Sequence, residues 1–167
     1  QDIKCGDCAK EANAKALDVL NRGVDSLGFI VPGEKVNKEY VEALLEGILA
    51  ECVELNFRTC QCHCVELAQI LVEYFETKGY DKARLAGSIS FDPLEKMVMK
   101  GKDTEGKLAV AKTLVETLAA YPLFRAVAVN AYRLTDAGAY SYQDLGYALA
   151  WGNEYMAQLT EAGVPAE

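Results

Sequence analysis

Cys60-Gln61-Cys62-His63-Cys64 concentrates most of the reactive chemistry in this sequence. Thiolates and neutral imidazole are zinc ligands, and an additional Cys5-x-x-Cys8 pair could complete a set of four. Close thiols can also exchange with disulfides. Spacing argues against both readings. On an extended strand, alternate side chains share a face, so Cys60, Cys62 and Cys64 would form a line instead of surrounding an ion. Cys5 and Cys8 lie three apart, the spacing of one helix face, which suits burial as small hydrophobes. We therefore expect free thiols and no metal centre, with Cys60, Cys62, His63 and Cys64 as the weak candidates. His63 stands where a helix begins, at the carboxyl end of a strand. A second place for chemistry is Asn130-Ala131-Tyr132-Arg133-Leu134-Thr135-Asp136-Ala137-Gly138-Ala139, where an arginine closes an apolar run and an aspartate and a glycine precede a helix.

These residues are positioned by alternating short apolar runs and longer amphipathic stretches. The runs at 26–31, 53–59, 84–89 and 124–130 read as strands, buried on both faces where they are continuous. Between them, periodicity near 3.6 predicts helices over about 5–20, 37–52, 64–77, 93–99, 107–118 and 141–159. Asn37 is placed to cap the second, and Lys78-Gly79 to end the third. Strand, crossover helix, strand is the pattern of a parallel sheet with right-handed connections. An open doubly wound sheet and a (β/α)8 barrel share it. A barrel needs eight strands and about 250 residues, so four β/α units would be half of one. The polar stretch Lys100–Lys107 reads as a solvated loop. Neither Gly87 nor Gly138 has phosphate-loop spacing.

The chain has 167 residues and a formal net charge of −8, with 51% hydrophobic residues. That supports one domain with a real core and argues against nucleic acid or an anionic membrane as partner. No apolar run is long enough to span a bilayer. The chain starts at Gln1 with an amphipathic stretch under way, and we read it as part of a longer polypeptide. Its six cysteines lie inside regular patterns and not in a loop-rich scaffold, so the expected compartment is the reducing cytoplasm.

Two longer stretches carry a resemblance. Asn130–Ala139, continuing through Asp144-Leu145-Gly146-Tyr147-Ala148-Leu149-Ala150-Trp151-Gly152-Asn153-Glu154-Tyr155, resembles a segment of the methylmalonyl-CoA mutase family. There it reads roughly Ser-Gly-Tyr-His, two residues, Ala-Gly-Ala, then Leu-Ala-hydrophobic-Thr-Leu-Ala-Asp-Gly-x-Glu-Tyr. Leu85-Ala86-Gly87-Ser88-Ile89-Ser90-Phe91-Asp92-Pro93-Leu94-Glu95-Lys96 is similar to the family's Leu-Gln-Gly-Thr-Ile-Gln-Asn-Asp-Ile-Leu-Lys-Glu. Both belong to the acyl-CoA-binding barrel of that family, so the resemblance implies a truncated TIM barrel over 1–167, with helices on the outer face of parallel strands.

The departures bear on activity. Tyr132 is kept. The neighbouring histidine, which in catalytic members hydrogen-bonds the reacting thioester carbonyl, is Arg133 here. The glutamine facing the same carbonyl is Ser90, and an arginine that contacts acyl-CoA aligns with Lys100. Ser88 and Lys100 are the positions left for substrate contact. Arginine stays cationic and cannot shuttle a proton, whereas imidazole can. Some family members are heterodimers, with adenosylcobalamin and substrate in a large subunit and a small subunit that keeps the fold without the activity. The resemblance thus implies a non-catalytic chain that pairs with the large subunit and binds no cofactor in this segment. The family's cobalamin-binding Asp-x-His-x-x-Gly pattern does not occur in these residues. Two alternatives stay open: an active acyl-CoA mutase with altered acyl specificity, and a Cys-rich metal or redox module. A half-barrel would also expose apolar strand edges, so a homodimer is expected of this segment alone.

Overall fold

Five short strands form one parallel sheet: β1 (Asp2–Lys4), β2 (Ser26–Ile30), β3 (Glu54–Arg58), β4 (Gly87–Ile89) and β5 (Phe124–Arg125). They lie side by side in chain order. The structure is a computed structural model and describes residues 1–101, 104 and 106–165. The expected loop Lys100–Lys107 therefore falls partly outside the described residues.

Register sorts the strand side chains into rows. Ile3, Phe29, Phe57 and Ile89 stand beside one another, as do Leu27, Leu55, Gly87 and Phe124. Both rows are buried in one core with the helices. The opposite face carries Asp2, Gly28, Asn56, Ser88 and Arg125 in register. There Ser88 Oγ donates to Asn56 Oδ1 (2.6 Å), and Asn56 Nδ2 donates to Ser26 Oγ (3.2 Å). Strands added in one direction with right-handed crossovers place every crossover on the same side. One apolar and one polar face follow from that order.

The helices are α1 (Ala9–Asn21), α2 (Lys38–Leu45), α3 (Cys64–Lys78), α4 (Pro93–Lys100), α5 (Lys107–Leu118), α6 (Tyr132–Asp136) and α7 (Ser141–Glu161). Asn37 caps α2 as its sequence suggests, its side chain accepting from Tyr40 N (2.9 Å). Gly79 ends α3 in the left-handed region at φ 69°, where a side chain would be strained. Alanines at 9, 12 and 16 form the buried stripe of α1, which lets that helix lie close to its neighbours.

Several expectations change. Among the described residues the sheet has five strands, not four. β1 was invisible to hydropathy because it is three residues long, with only Ile3 buried between two exposed side chains. Its presence delays α1, so Cys5 and Cys8 do not share a helix face. Cys5 is buried just beyond β1, whereas Cys8 is exposed at the cap of α1. The helix expected over 37–52 stops at Leu45. The apolar run 124–130 ladders only at its first two residues. Its remainder runs beside β4, with Ala128 N donating to Phe91 O (3.0 Å).

Gly87 shows how tightly β3, β4 and β5 are drawn together. A Cβ built there would lie 2.0 Å from Leu55 O and 2.7 Å from Phe124 Cε2. The strand can approach its neighbours only without a side chain. Gly87→Ala is therefore expected to lower the unfolding free energy of the full-length chain by about 3 kcal/mol, the upper range for overpacking. Gly146→Ala, whose Cβ meets nothing within 4 Å on α7, is expected to raise it by about 1 kcal/mol. Urea unfolding of both variants reads the contrast in sign.

Candidate functional site

At the carboxyl ends of β3 and β4 the chain closes around one carboxylate. Asp92 caps α4, a role foreshadowed by Pro93 at the first helical position. The residue is 1% exposed. Oδ1 accepts from Tyr155 OH (2.6 Å) and Glu95 N (3.1 Å), and Oδ2 from Asn130 N (2.7 Å). Its backbone carbonyl accepts from Gln61 Nε2 (2.6 Å). Tyr155 OH accepts in turn from Leu94 N (2.9 Å). Burial pushes the Asp92 carboxyl above its ordinary range, against the opposing pull of these donors. Burial, and the bond given to Asp92, push the Tyr155 hydroxyl up, so it stays a donor.

The neighbouring cleft, about 260 Å³, brings together Ser90, Tyr132, Arg133, Glu95, Lys96 and Cys60. That is below the roughly 300–1,000 Å³ of small-molecule sites. Arg133 is engaged on two sides. Its Nε donates to Glu95 Oε1 (3.1 Å), and its guanidinium carbon lies 5.1 Å from the centre of the Tyr132 ring. Glu95 Oε2 accepts from Asn130 Nδ2 (3.3 Å). Arg133 and Tyr132 begin α6, a five-residue helix closed by Gly138 at φ 100°. Ser90 also borders the polar groove over the sheet, together with Ser88, Asn56 and Arg58. Lys100 ends α4, exposed, and lines neither space.

The cysteine stretch is not a strand. β3 ends at Arg58, and Gln61–His63 form a 3₁₀ turn that runs straight into α3. The turn removes the geometric objection to a cluster. Cys60 Sγ lies 2.9 Å from Cys62 Sγ, which lies 3.3 Å from His63 Nδ1. Cys64 departs from the other three: it is buried at the start of α3, and its thiol donates to Cys60 O (3.6 Å). Hydrogen bonds from the Cys62 thiol and backbone lower the Cys60 thiol to about 7, with His63 and Lys96 assisting. Sharing that charge raises Cys62. Burial raises Cys5 to about 11 and Cys64 to about 12.

A family profile described as methylmalonyl-CoA mutase matches residues 36–167. The chain belongs to the methylmalonyl-CoA mutase family. It is 41% identical over 167 residues to the methylmalonyl-CoA mutase small subunit of Porphyromonas gingivalis, covering all of this chain and 27% of that protein. It is 33% identical over 153 residues to the small subunit of Propionibacterium freudenreichii subsp. shermanii, covering 90% of this chain and 23% of that protein. With the Streptomyces virginiae small subunit it shares 28% identity over 155 residues, 93% of this chain and 25% of the relative. The chain thus spans about a quarter of the length of these relatives.

Both stretches that carried the mutase resemblance supply the Asp92 network, from Asp92 and Glu95 in one and Asn130 and Tyr155 in the other. Their joint role escaped sequence reading. The available signals were the Asp-Pro cap and a glutamate three residues after it. Gln61 had none, because its partner is a backbone carbonyl thirty-one positions away.

Tyr155→Phe removes one donor from a buried carboxylate and the acceptor of Leu94 N. The expected loss is about 1–3 kcal/mol of stability, read by urea unfolding of the full-length chain. For the thiols, the expected order of alkylation by iodoacetamide is Cys60 first, its rate rising through about pH 7 as the thiolate forms. Cys5 and Cys64 should label only after unfolding. Mass-spectrometric mapping across pH decides the order.

Proposed function

We propose that this chain is part of the small, non-catalytic subunit of an adenosylcobalamin-dependent methylmalonyl-CoA mutase, which interconverts methylmalonyl-CoA and succinyl-CoA. It pairs there with a catalytic large subunit, and its five successive β/α units are the first part of a (β/α)8 barrel. The names of its relatives support the subunit. The single-direction strand order and the one-sided core support the barrel.

One observation carries the loss of catalysis. At the position where the resemblance places a carbonyl-binding histidine, Arg133 is tied to Glu95 and stacked on Tyr132. Its charge is neutralised within the protein, so it is poorly placed either to transfer a proton or to read a substrate carboxylate. That argues against an active mutase with altered acyl specificity. Ser90, a short hydroxyl, replaces the second carbonyl contact, and Lys100 stands clear of the cleft.

The residues of this chain do not fit a histidine-ligated corrinoid. Its one imidazole, His63, is held among Cys60, Cys62 and Gly33 and has no Asp-x-His-x-x-Gly surroundings. Cobalamin and substrate chemistry are assigned to the large subunit.

Large apolar side chains of α7, including Tyr142 at 73% and Leu149 at 66% exposure, extend the surface available to a partner. We assign this surface and the edges of β1 and β5 to contacts with the rest of the polypeptide or the large subunit, and to a second copy when this segment stands alone. Among the described residues no helix is long and apolar enough to cross a membrane. All six cysteines are free, which supports a reducing, cytoplasmic setting.

The deciding assay follows methylmalonyl-CoA turnover with added adenosylcobalamin. The expected result is none from the full-length small subunit alone, turnover once the large subunit is added, and an unchanged kcat when the small subunit carries Arg133→Ala. Turnover by the small subunit alone would overturn the proposal.

A further inference from the structure

We propose that Cys60, Cys62 and His63 form a binding site for a soft divalent cation, Zn²⁺ in the first place, with two thiolates and one imidazole as ligands and a fourth position open to solvent. The site is separate from the mutase reaction and does not depend on which subunit carries it.

Donor type is the first argument. Two sulfurs and an imidazole nitrogen favour zinc over the hard cations that oxygen ligands select. Geometry is the second. The three donor atoms all lie within 4.8 Å of one another. Ligands at about 2.3 Å for sulfur and about 2.0–2.1 Å for nitrogen span a tetrahedron whose edges are of this order. The Cys62–His63 separation of 3.3 Å needs little change. The Cys60–Cys62 separation of 2.9 Å must widen, which exposed side chains do by rotation.

The third argument is that backbone and neighbours hold the donors. Cys60 O accepts from His63 N (2.9 Å) and from the Cys64 thiol (3.6 Å), fixing the 3₁₀ turn that gathers them. Gly33, in the turn after β2, leaves the room. A Cβ there would lie 2.6 Å from His63 Nδ1 and 3.3 Å from Cys60 Cβ. A side chain at 33 would force the imidazole to shift from its place beside the sulfurs. The turn that carries the ligands is thus shaped on one side by its own hydrogen bonds and on the other by a bare backbone.

A pair of thiols this close could instead become a disulfide by exchange with an external disulfide, in which two thiols are oxidised and the other disulfide is reduced to two thiols. His63 forms no bond in that reaction and the clearance at Gly33 does not serve it, whereas the cation uses both, which is why the cation is favoured.

The test uses the full-length small subunit in complex with the large subunit, reduced and freed of metal, then titrated with Co²⁺ and back-titrated with Zn²⁺. The expected result is a thiolate-to-cobalt charge-transfer band that saturates at one equivalent and is bleached by Zn²⁺. Cys60→Ser with Cys62→Ser should abolish it, and Cys52→Ser should leave it intact. His63→Ala should weaken binding by more than the roughly 10–100-fold that loss of an outer-shell partner costs. Gly33→Ala should also weaken it, with the ligands untouched. Unchanged circular dichroism and subunit pairing confirm that the variants fold. No charge-transfer band, a band that survives the double cysteine variant, or Cys60 and Cys62 recovered as a disulfide from the reduced protein would overturn the proposal.

Discussion

Everything at the carboxyl edge of this sheet depends on one buried carboxylate being fully satisfied. A charged or polar group removed from water costs several kcal/mol unless its hydrogen bonds are replaced. Asp92 replaces them with donors from three places: the first turn of α4, the segment after β5, and α7. Its own carbonyl takes a fourth, from the turn after β3. None of these segments is adjacent in sequence to all the others, and hydrophobic contact alone would not fix their register. The network does, because a displacement of any one of them strands a polar atom in the interior. Trp151, Tyr155 and Leu94 form a small apolar cluster over it, which keeps water from competing.

The contacts of Arg133 follow from the same economy of charge. Glu95 belongs to the α4 cap, and its carboxylate collects both Arg133 and Asn130. An arginine at that position would otherwise be an uncompensated cation at a strand end. Paired with Glu95 and resting on Tyr132, it becomes part of the scaffold. A surface ion pair of this kind contributes little stability, typically below about 1 kcal/mol. Its effect is to commit the Arg133 N–H and a Glu95 carboxylate oxygen to each other.

How much of this could be read from residues alone differs by element. β2 was legible as a continuous apolar run and β3 as an alternation that puts Val53, Leu55 and Phe57 on one side, and the caps at Asn37 and Gly79 announced helix limits. β1 was not, since three residues with charged ends carry no periodic signal; only its pairing with β2 makes it a strand. The cysteine stretch failed for a different reason. Period-two spacing was extrapolated beyond Arg58 as far as Cys64, where the chain had already left the ladder to form a 3₁₀ turn, and a change of period from two to three redirects every side chain. The departures from the family pattern at Ser90 and Arg133 were legible through family resemblance, which names positions. The bonds that now employ Arg133 were not, because they join residues thirty-eight apart.

The turn after β3 joins these threads. Its residues step around an axis at about three per turn, so neighbours point in different directions. Gln61 turns inward and is buried against Asp92, while Cys60 and Cys62 turn outward. One short segment thus serves the buried network on one side and gathers two sulfurs and an imidazole on the other. The two uses are mechanically linked. Anything that fixes Cys60, Cys62 and His63 relative to one another also fixes the backbone from which Gln61 reaches Asp92, and anything that loosens Asp92 lets the turn, and with it the donor triangle, relax.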